Sequence, residues 1–217
     1  MNDLQLVIFD CDGVLVDSEV ISNEVLAAAL SAEGLPTTLR EARRDYQGLL
    51  LADVASSAQE KLGRALPDDW LERYERERNE AFRRQLEPVA GAADAVRRIK
   101  AAGVSVCVAS QGKHEKIQLT LELTGLRELF GESALFSAYS VARGKPHPDL
   151  FLHAAAAMNA TPERSVVVED TASGVLAAVA AGMRVFGYAA DADEQALRRE
   201  GAEILLSLDE LPARLGL

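Results

Sequence analysis

The chain has 217 residues, 48% of them apolar and 26% charged, the balance of an ordinary soluble globular protein of one domain, or of one domain with a small insert. No window approaches the ~18 consecutive apolar residues of a membrane-spanning helix, and Met1–Asn2–Asp3 lacks the basic opening of a secretory signal, so the cytoplasm is the expected compartment. A net charge of −11 argues against nucleic acid and anionic membranes as partners, and any phosphate ligand would need a local cation or a metal to draw it in.

Taken in chain order, a first apolar run over residues 5–10 predicts a strand. From about Asp17 to Glu87 no convincing β-run occurs and the periodicity stays near 3.6, which predicts an all-helical insert at residues 17–87. Turns fall at Gly34–Leu35–Pro36 and Leu66–Pro67–Asp68–Asp69, and Glu87–Pro88–Val89 reads as the return. Within the insert, residues 72–84 hold four Glu and five Arg, the pattern of a solvated helix laced with i,i+4 pairs. Helices and strands then alternate: helix 92–102, strand 105–110, helix 114–124, strand 134–137, helix 148–159, strand 165–170, helix 172–181, strand 184–188, helix 193–200 and a weaker strand 202–206. That order predicts an open, doubly wound, Rossmann-like parallel sheet built from residues 1–16 and 88–217. The two cysteines, Cys11 and Cys107, sit in apolar runs with no third Cys or His beside them, and are expected as buried, reduced thiols.

In such a sheet a ligand sits beyond the carboxyl ends of the strands, so the residues that close each run carry the chemistry. The first run ends in Asp10–Cys11–Asp12–Gly13, two carboxylates one residue apart and released into a loop by glycine. The apolar Val14–Leu15–Val16 that follows excludes an EF-hand. The fourth run ends in Glu169–Asp170. Four carboxyl groups at two strand ends would repel one another unless a cation neutralised them, and a hard, oxygen-liganded ion such as Mg²⁺ suits them. The second run ends in Ser110–Gln111–Gly112, a hydroxyl and backbone amides suited to phosphate oxygens. The third is followed by Gly144–Lys145–Pro146–His147–Pro148. Pro146 disfavours helix at Lys145 and Pro148 is suited to the first position of the next helix, which puts Lys145 on a loop at the acidic face.

Together these stretches resemble the four motifs of the haloacid dehalogenase superfamily, in its phosphatase and phosphomutase branch, over essentially the whole chain. Asp10–Cys11–Asp12–Gly13–Val14–Leu15–Val16–Asp17–Ser18–Glu19 resembles the first motif, Ser110 the second, Lys145 in Gly144–Lys145–Pro146 the third, and Glu169–Asp170–Thr171–Ala172–Ser173–Gly174 the fourth. The helical insert resembles the cap of the β-phosphoglucomutase-like members. Gln111 departs from the pattern, since many relatives carry Asn there. The resemblance implies that Asp10 is the nucleophile and Asp12 the acid and base, with Mg²⁺ held by Asp10, the Asp12 main-chain carbonyl and Asp170. It further implies that Glu169 acts behind the metal or through water, that Lys145 screens charge, and that Ser110 with the Gln111 amide holds a phosphoryl oxygen. Gly112 and Lys113 complete the implied substrate-binding stretch, and Cys11 is expected to point into the core.

Asp12 separates phosphatases and mutases from dehalogenases, which lack that acid, and from ion-pumping ATPases, which carry Thr there. A β-phosphoglucomutase-type mutase remains as the alternative. Where the mutase has a cap Arg, a Ser and a His, this sequence has Leu51, Val54 and Ser22, although Lys113 matches a mutase substrate-binding Lys. The balance favours hydrolysis of a small phosphorylated metabolite by a Mg²⁺-dependent phosphatase. A phospho-receiver or a pure binding protein is a remote alternative, because neither needs a helical cap or an acid placed to protonate a leaving alcohol. No protein partner is implied.

Overall fold

In the computed structural model, which describes residues 3–217, the short apolar runs form six strands: β1 (Leu6–Phe9), β2 (Ser105–Ser110), β3 (Leu135–Ser137), β4 (Ser165–Glu169), β5 (Arg184–Tyr188) and β6 (Glu203–Leu205). All neighbours are parallel, in the order β3-β2-β1-β4-β5-β6. The first strand therefore lies inside the sheet and the chain winds outward to both sides of it, the doubly wound arrangement whose strand ends form a crevice. Leu6, Val7, Ile8 and Phe9 are fully buried. A strand covered on both faces has no polar alternation, which is why it reads as a continuous apolar run.

The chain divides into two compact units, one of residues up to Val16 together with Pro88–Leu217, the other Asp17–Glu87. In the second unit lie α1 (Glu19–Ala32), α2 (Leu39–Tyr46), α3 (Leu51–Leu62) and α4 (Trp70–Gln85), and its described residues form no strand. Their inward stripes meet in a cluster that includes Leu26, Leu30, Tyr46, Val54, Trp70 and Tyr74. A capping box starts α2: Thr38 accepts from the Glu41 N–H and Glu41 accepts from the Thr38 N–H, which satisfies two otherwise orphaned donors. The two ends of the unit are tied where the Asp17 N–H donates to the Glu87 carbonyl at 3.0 Å. Helix α4 is only partly the solvated element its charge suggests. Trp70, Tyr74, Arg78, Ala81 and Phe82 form a buried stripe at helical spacing, with the Arg78 guanidinium 5.4 Å from the Tyr74 ring centre and 5.7 Å from that of Phe82.

The first unit adds α5 (Ala92–Ala101), α6 (His114–Leu123), α7 (Asp149–Ala157), α8 (Ala172–Ala180), α9 (Glu194–Arg199) and the short α10 (Leu211–Arg214) to the sheet. Helix α7 opens at Asp149, one residue later than expected, because Pro148 occupies the position just before the helix and leaves its first turn to Asp149. Cys11 and Cys107 are free and buried. Among the described residues no helix is long and apolar enough to cross a membrane.

Candidate active site

Register brings the acidic residues together. Phe9 pairs with Val168, so Asp10 follows β1 at the level where β4 ends in Glu169, and the Asp10 N–H donates to the Val168 carbonyl at 2.9 Å. Beyond Asp10 the chain turns sharply. Gly13 has φ +73°, and a Cβ there would lie 2.1 Å from Asp170 Oδ2. Only glycine serves, both for the left-handed backbone and for the close passage of the Asp170 carboxylate. Asp10, Ser110, Lys145, Glu169 and Asp170 are all buried, a concentration of polar groups that a packed core tolerates only when they are mutually satisfied.

Lys145 supplies that satisfaction. Its ammonium donates to the Asp10 and Glu169 carboxylates and, at 3.1 Å, to the Ala109 carbonyl, and it stands 5.1 Å from the Phe151 ring centre. Burial works to lower the Lys145 ammonium, but the Asp10 and Glu169 carboxylates outweigh it and hold it above its usual value. The opposite balance holds at Asp10. Burial pushes its carboxyl up to about 8, the Lys145 ammonium pulls it down less, and Glu169 and Asp12 add to the rise.

Glu169 is held on both oxygens. One accepts from Lys145; the other accepts from the Asp170 N–H at 3.0 Å, the Thr171 N–H at 3.0 Å and the Thr171 hydroxyl at 2.8 Å. Thr171 also caps α8 by accepting from the Gly174 N–H. A Cβ at Gly174 would lie about 2 Å from the Glu169 carboxylate, 1.9 Å from its carbon, so this carboxylate fills the space left by the glycine at the start of α8.

The stretch after β2 is arranged by a different set of bonds. The buried Ser110 hydroxyl accepts from the Gly112 N–H at 3.1 Å and donates to Asp12 Oδ2 at 3.4 Å, and Ser137 donates to the Gly112 carbonyl at 2.6 Å. The side chain of Gln111 is engaged with the main chain of Lys145: Oε1 accepts the Lys145 N–H at 3.0 Å and Nε2 donates to the Lys145 carbonyl at 3.4 Å. Gln111 thereby fastens the loop that carries Lys145. Lys113 is the residue immediately before α6, and its carbonyl accepts the N–H groups of Lys116 and Ile117. Cys11 is fully buried with its sulfur 3.6 Å from the Thr120 hydroxyl, and burial raises its thiol far above the range of a reactive cysteine.

One charged residue of this region was not singled out in the sequence. Lys116 on α6 is 8% exposed and ion-pairs with Asp12. The signal was a lysine inside the inward stripe Lys116, Ile117, Thr120, Leu121 of the helix that follows β2. Thr171, which holds Glu169 and caps α8 at once, was likewise read only as part of a motif.

The donor chemistry fits a hard divalent cation. Asp10, Asp12, Glu169 and Asp170 outnumber the ammoniums of Lys116 and Lys145 by two, and one such ion offsets that excess with the oxygen ligands it prefers. Among the described residues no three acidic, His or Cys side chains converge on a point, since Asp12 is turned to Lys116 and Asp10 to Lys145. The expected ligand set needs only two carboxylates, those of Asp10 and Asp170, with Asp12 contributing its main-chain carbonyl.

The site is thus a buried carboxylate–lysine centre at the mouth of the inner strands of a doubly wound sheet. The model of the haloacid dehalogenase-like hydrolases matches residues 4–182, and the chain belongs to that family. It is 31% identical to the 6-phosphogluconate phosphatase of Escherichia coli K12 over 98% of this chain and 95% of that protein. It is 28% identical to a phosphorylated carbohydrates phosphatase of Thermotoga maritima, with 96% of each covered. Among solved structures, a family hydrolase of Deinococcus radiodurans R1 with bound phosphate and sodium superposes with a TM-score of 0.80 and 34% identity, covering all of this chain and 96% of that one. With these relatives, the chain is a phosphoric monoester hydrolase.

Proposed function

We propose that the protein is a Mg²⁺-dependent phosphatase that hydrolyses a small phosphorylated metabolite through an aspartyl phosphate on Asp10. The substrate class is a sugar phosphate, a sugar-acid phosphate or phosphoglycolate, the first two in keeping with the activities for which the phosphatase relatives are named. The observation that carries the reading is the buried Asp10 carboxyl bonded to Lys145 at the end of β1, with a second carboxylate two residues on.

In the first step an Asp10 oxygen attacks phosphorus, the ester P–O bond breaks, and the proton of the Asp12 carboxyl passes to the leaving oxygen. In the second, the Asp12 carboxylate takes a proton from water, the water oxygen attacks phosphorus, and the Asp10–phosphate bond breaks to release inorganic phosphate. Lys145 holds Asp10 in place and offsets charge on the transferring group, while Ser110 and the main-chain N–H groups of the Gln111–Gly112–Lys113 turn are the donors for its oxygens. Asp10, Asp170 and the Asp12 main-chain carbonyl would hold Mg²⁺, which would supply the charge neutralisation that lets an anionic nucleophile meet an anionic phosphate. The solved structure of the Deinococcus radiodurans relative holds phosphate and sodium, in keeping with a family member that binds an anion and a cation. The helical unit Asp17–Glu87 is read as the cap that admits substrate and excludes bulk water.

Hydrolysis is favoured over mutase chemistry because the position of the mutase cap Arg is taken by Leu51, which opens α3, and that of its Ser by Val54, which is buried in the helical core, leaving any compensation to arginines elsewhere in the unit such as Arg43, Arg44 or Arg83. The test supplies β-glucose 1-phosphate with catalytic β-glucose 1,6-bisphosphate and follows glucose 6-phosphate against inorganic phosphate, beside p-nitrophenyl phosphate with Mg²⁺ or EDTA. Mg²⁺-dependent phosphate release without isomerisation is expected. Isomerisation outpacing phosphate release by orders of magnitude would make the protein a mutase, and turnover indifferent to EDTA would remove the metal.

A further inference from the structure

We propose that Lys116 is a positioning residue of the reaction: it anchors one oxygen of Asp12 so that the other stays turned toward the transferring phosphate as the proton carrier. The inference rests on the reading of Asp12 as acid and base.

Three observations converge on it. Lys116 is buried on α6, and its ammonium is bonded to Asp12 Oδ1 although 104 residues separate the two in the chain. A lysine stripped of water in this way costs free energy unless a carboxylate meets it, which sets this contact apart from the exposed surface pairings. Second, the stem of Lys116 crosses the chain at Gly112, where a Cβ would lie 3.1 Å from Lys116 Cδ and 3.4 Å from Ser110 Oγ. The glycine keeps that passage open. Third, the two Asp12 oxygens are divided between different elements: Oδ1 faces Lys116 on α6, and Oδ2 lies 3.4 Å from the Ser110 hydroxyl at the end of β2.

The division matters because Asp12 sits on the turn after β1 with its side chain one-fifth exposed, so the direction of its carboxylate depends on the groups that meet its two oxygens. An ammonium is a compact point charge on a flexible stem and grips one oxygen, whereas a planar guanidinium tends to take both. A lysine here therefore orients the carboxylate and leaves Oδ2 for proton transfer. Misplacement of a reacting group by about 1 Å costs on the order of a hundredfold in rate, the scale on which loss of this anchor would be felt.

The experiment compares kcat/KM on p-nitrophenyl phosphate, whose leaving group needs little protonation, and on phenyl phosphate, which needs more. Lys116→Met should lose about tenfold more on phenyl phosphate than on p-nitrophenyl phosphate, and Lys116→Arg, whose guanidinium tends to take both oxygens, should recover little of the difference. Asp12→Asn, measured alongside, should show the same selectivity to a larger degree. Circular dichroism and melting curves check the fold. Should Lys116→Met not fold, Gly112→Ala displaces the lysine stem with the charge retained and carries the same expectation. Equal losses on the two substrates in the Lys116 and Gly112 variants, with Asp12→Asn still selective, would leave Lys116 a purely structural ion pair and overturn the proposal. Equal losses in Asp12→Asn itself would overturn the acid–base reading on which it rests.

Discussion

Asp10, Glu169 and Lys145 are buried together and satisfy one another, so substitutions there separate chemistry from folding. Asp10→Asn keeps shape and hydrogen-bonding capacity while removing the nucleophile. It should fold, melt within a few degrees of the wild type, and lose kcat by on the order of 10⁴-fold or more. A variant that keeps a few per cent of activity would take Asp10 out of the nucleophile role. Lys145→Met acts differently, because it strands the Asp10 and Glu169 carboxylates in the interior without their cation. Removing one partner of a buried pair typically costs about 3–5 kcal/mol, so denaturant titration without metal should show a loss of that size together with loss of turnover. At this scale the sequence was most informative where a residue closes a strand. Asp10, Ser110, Glu169 and Asp170 stand at the ends of β1, β2 and β4 because buried parallel strands leave their polar residues nowhere else to go. The partners of Lys116 and of the Gln111 side chain were not legible, since both bonds depend on how separate loops meet in space and leave no local period.

At the level of elements, the Glu169–Asp170 turn and the first turn of α8 are one construction. Glu169 accepts from two main-chain N–H groups and a hydroxyl there, and Gly174 provides the room. Gly174→Ala puts a methyl group where the Glu169 carboxylate lies, and the helix start cannot retreat without breaking the Thr171 cap. We expect a loss of about 1–3 kcal/mol, the usual cost of overpacking, and a raised Mg²⁺ requirement as Asp170 is displaced with its neighbour. Asp170→Ala should raise that requirement further than Glu169→Ala does, read as the Mg²⁺ concentration giving half-maximal activity. Equal effects of the two would mean that Glu169 also ligates the metal directly. Strand positions were legible within a residue or two because each is a short apolar run bounded by turn residues. Helix α4 was misjudged in part because charge density reports the solvent face, while the aromatic stripe that buries Arg78 is spaced four residues apart and hidden among the charges.

Across the whole molecule a net charge of −11 works against any bound anion, while at the centre burial, with Glu169 and Asp12 adding to it, works against ionisation of Asp10. The consequence is a pH dependence that metal reverses. In the unfolded chain Asp10 releases its proton near the ordinary aspartate value of 3.8; in the folded protein burial holds the proton up to about 8. Between those values the folded state binds the extra proton, so the contribution of Asp10 to stability is full below about pH 4 and is lost as pH rises toward 8. As a ligand of Mg²⁺ in the proposed site, Asp10 would have to give up that proton, which costs more the lower the pH. Because ligand stabilisation grows with [L]/Kd, a fixed Mg²⁺ concentration should raise Tm more at pH 8 than at pH 5.5, and Asp10→Asn should flatten the difference. The measurement is a set of melting curves with EDTA or Mg²⁺ across that range, with no substrate present. A Mg²⁺-induced shift of the same size at both pH values, or one that persists unchanged in Asp10→Asn, would show that Asp10 does not ligate the metal.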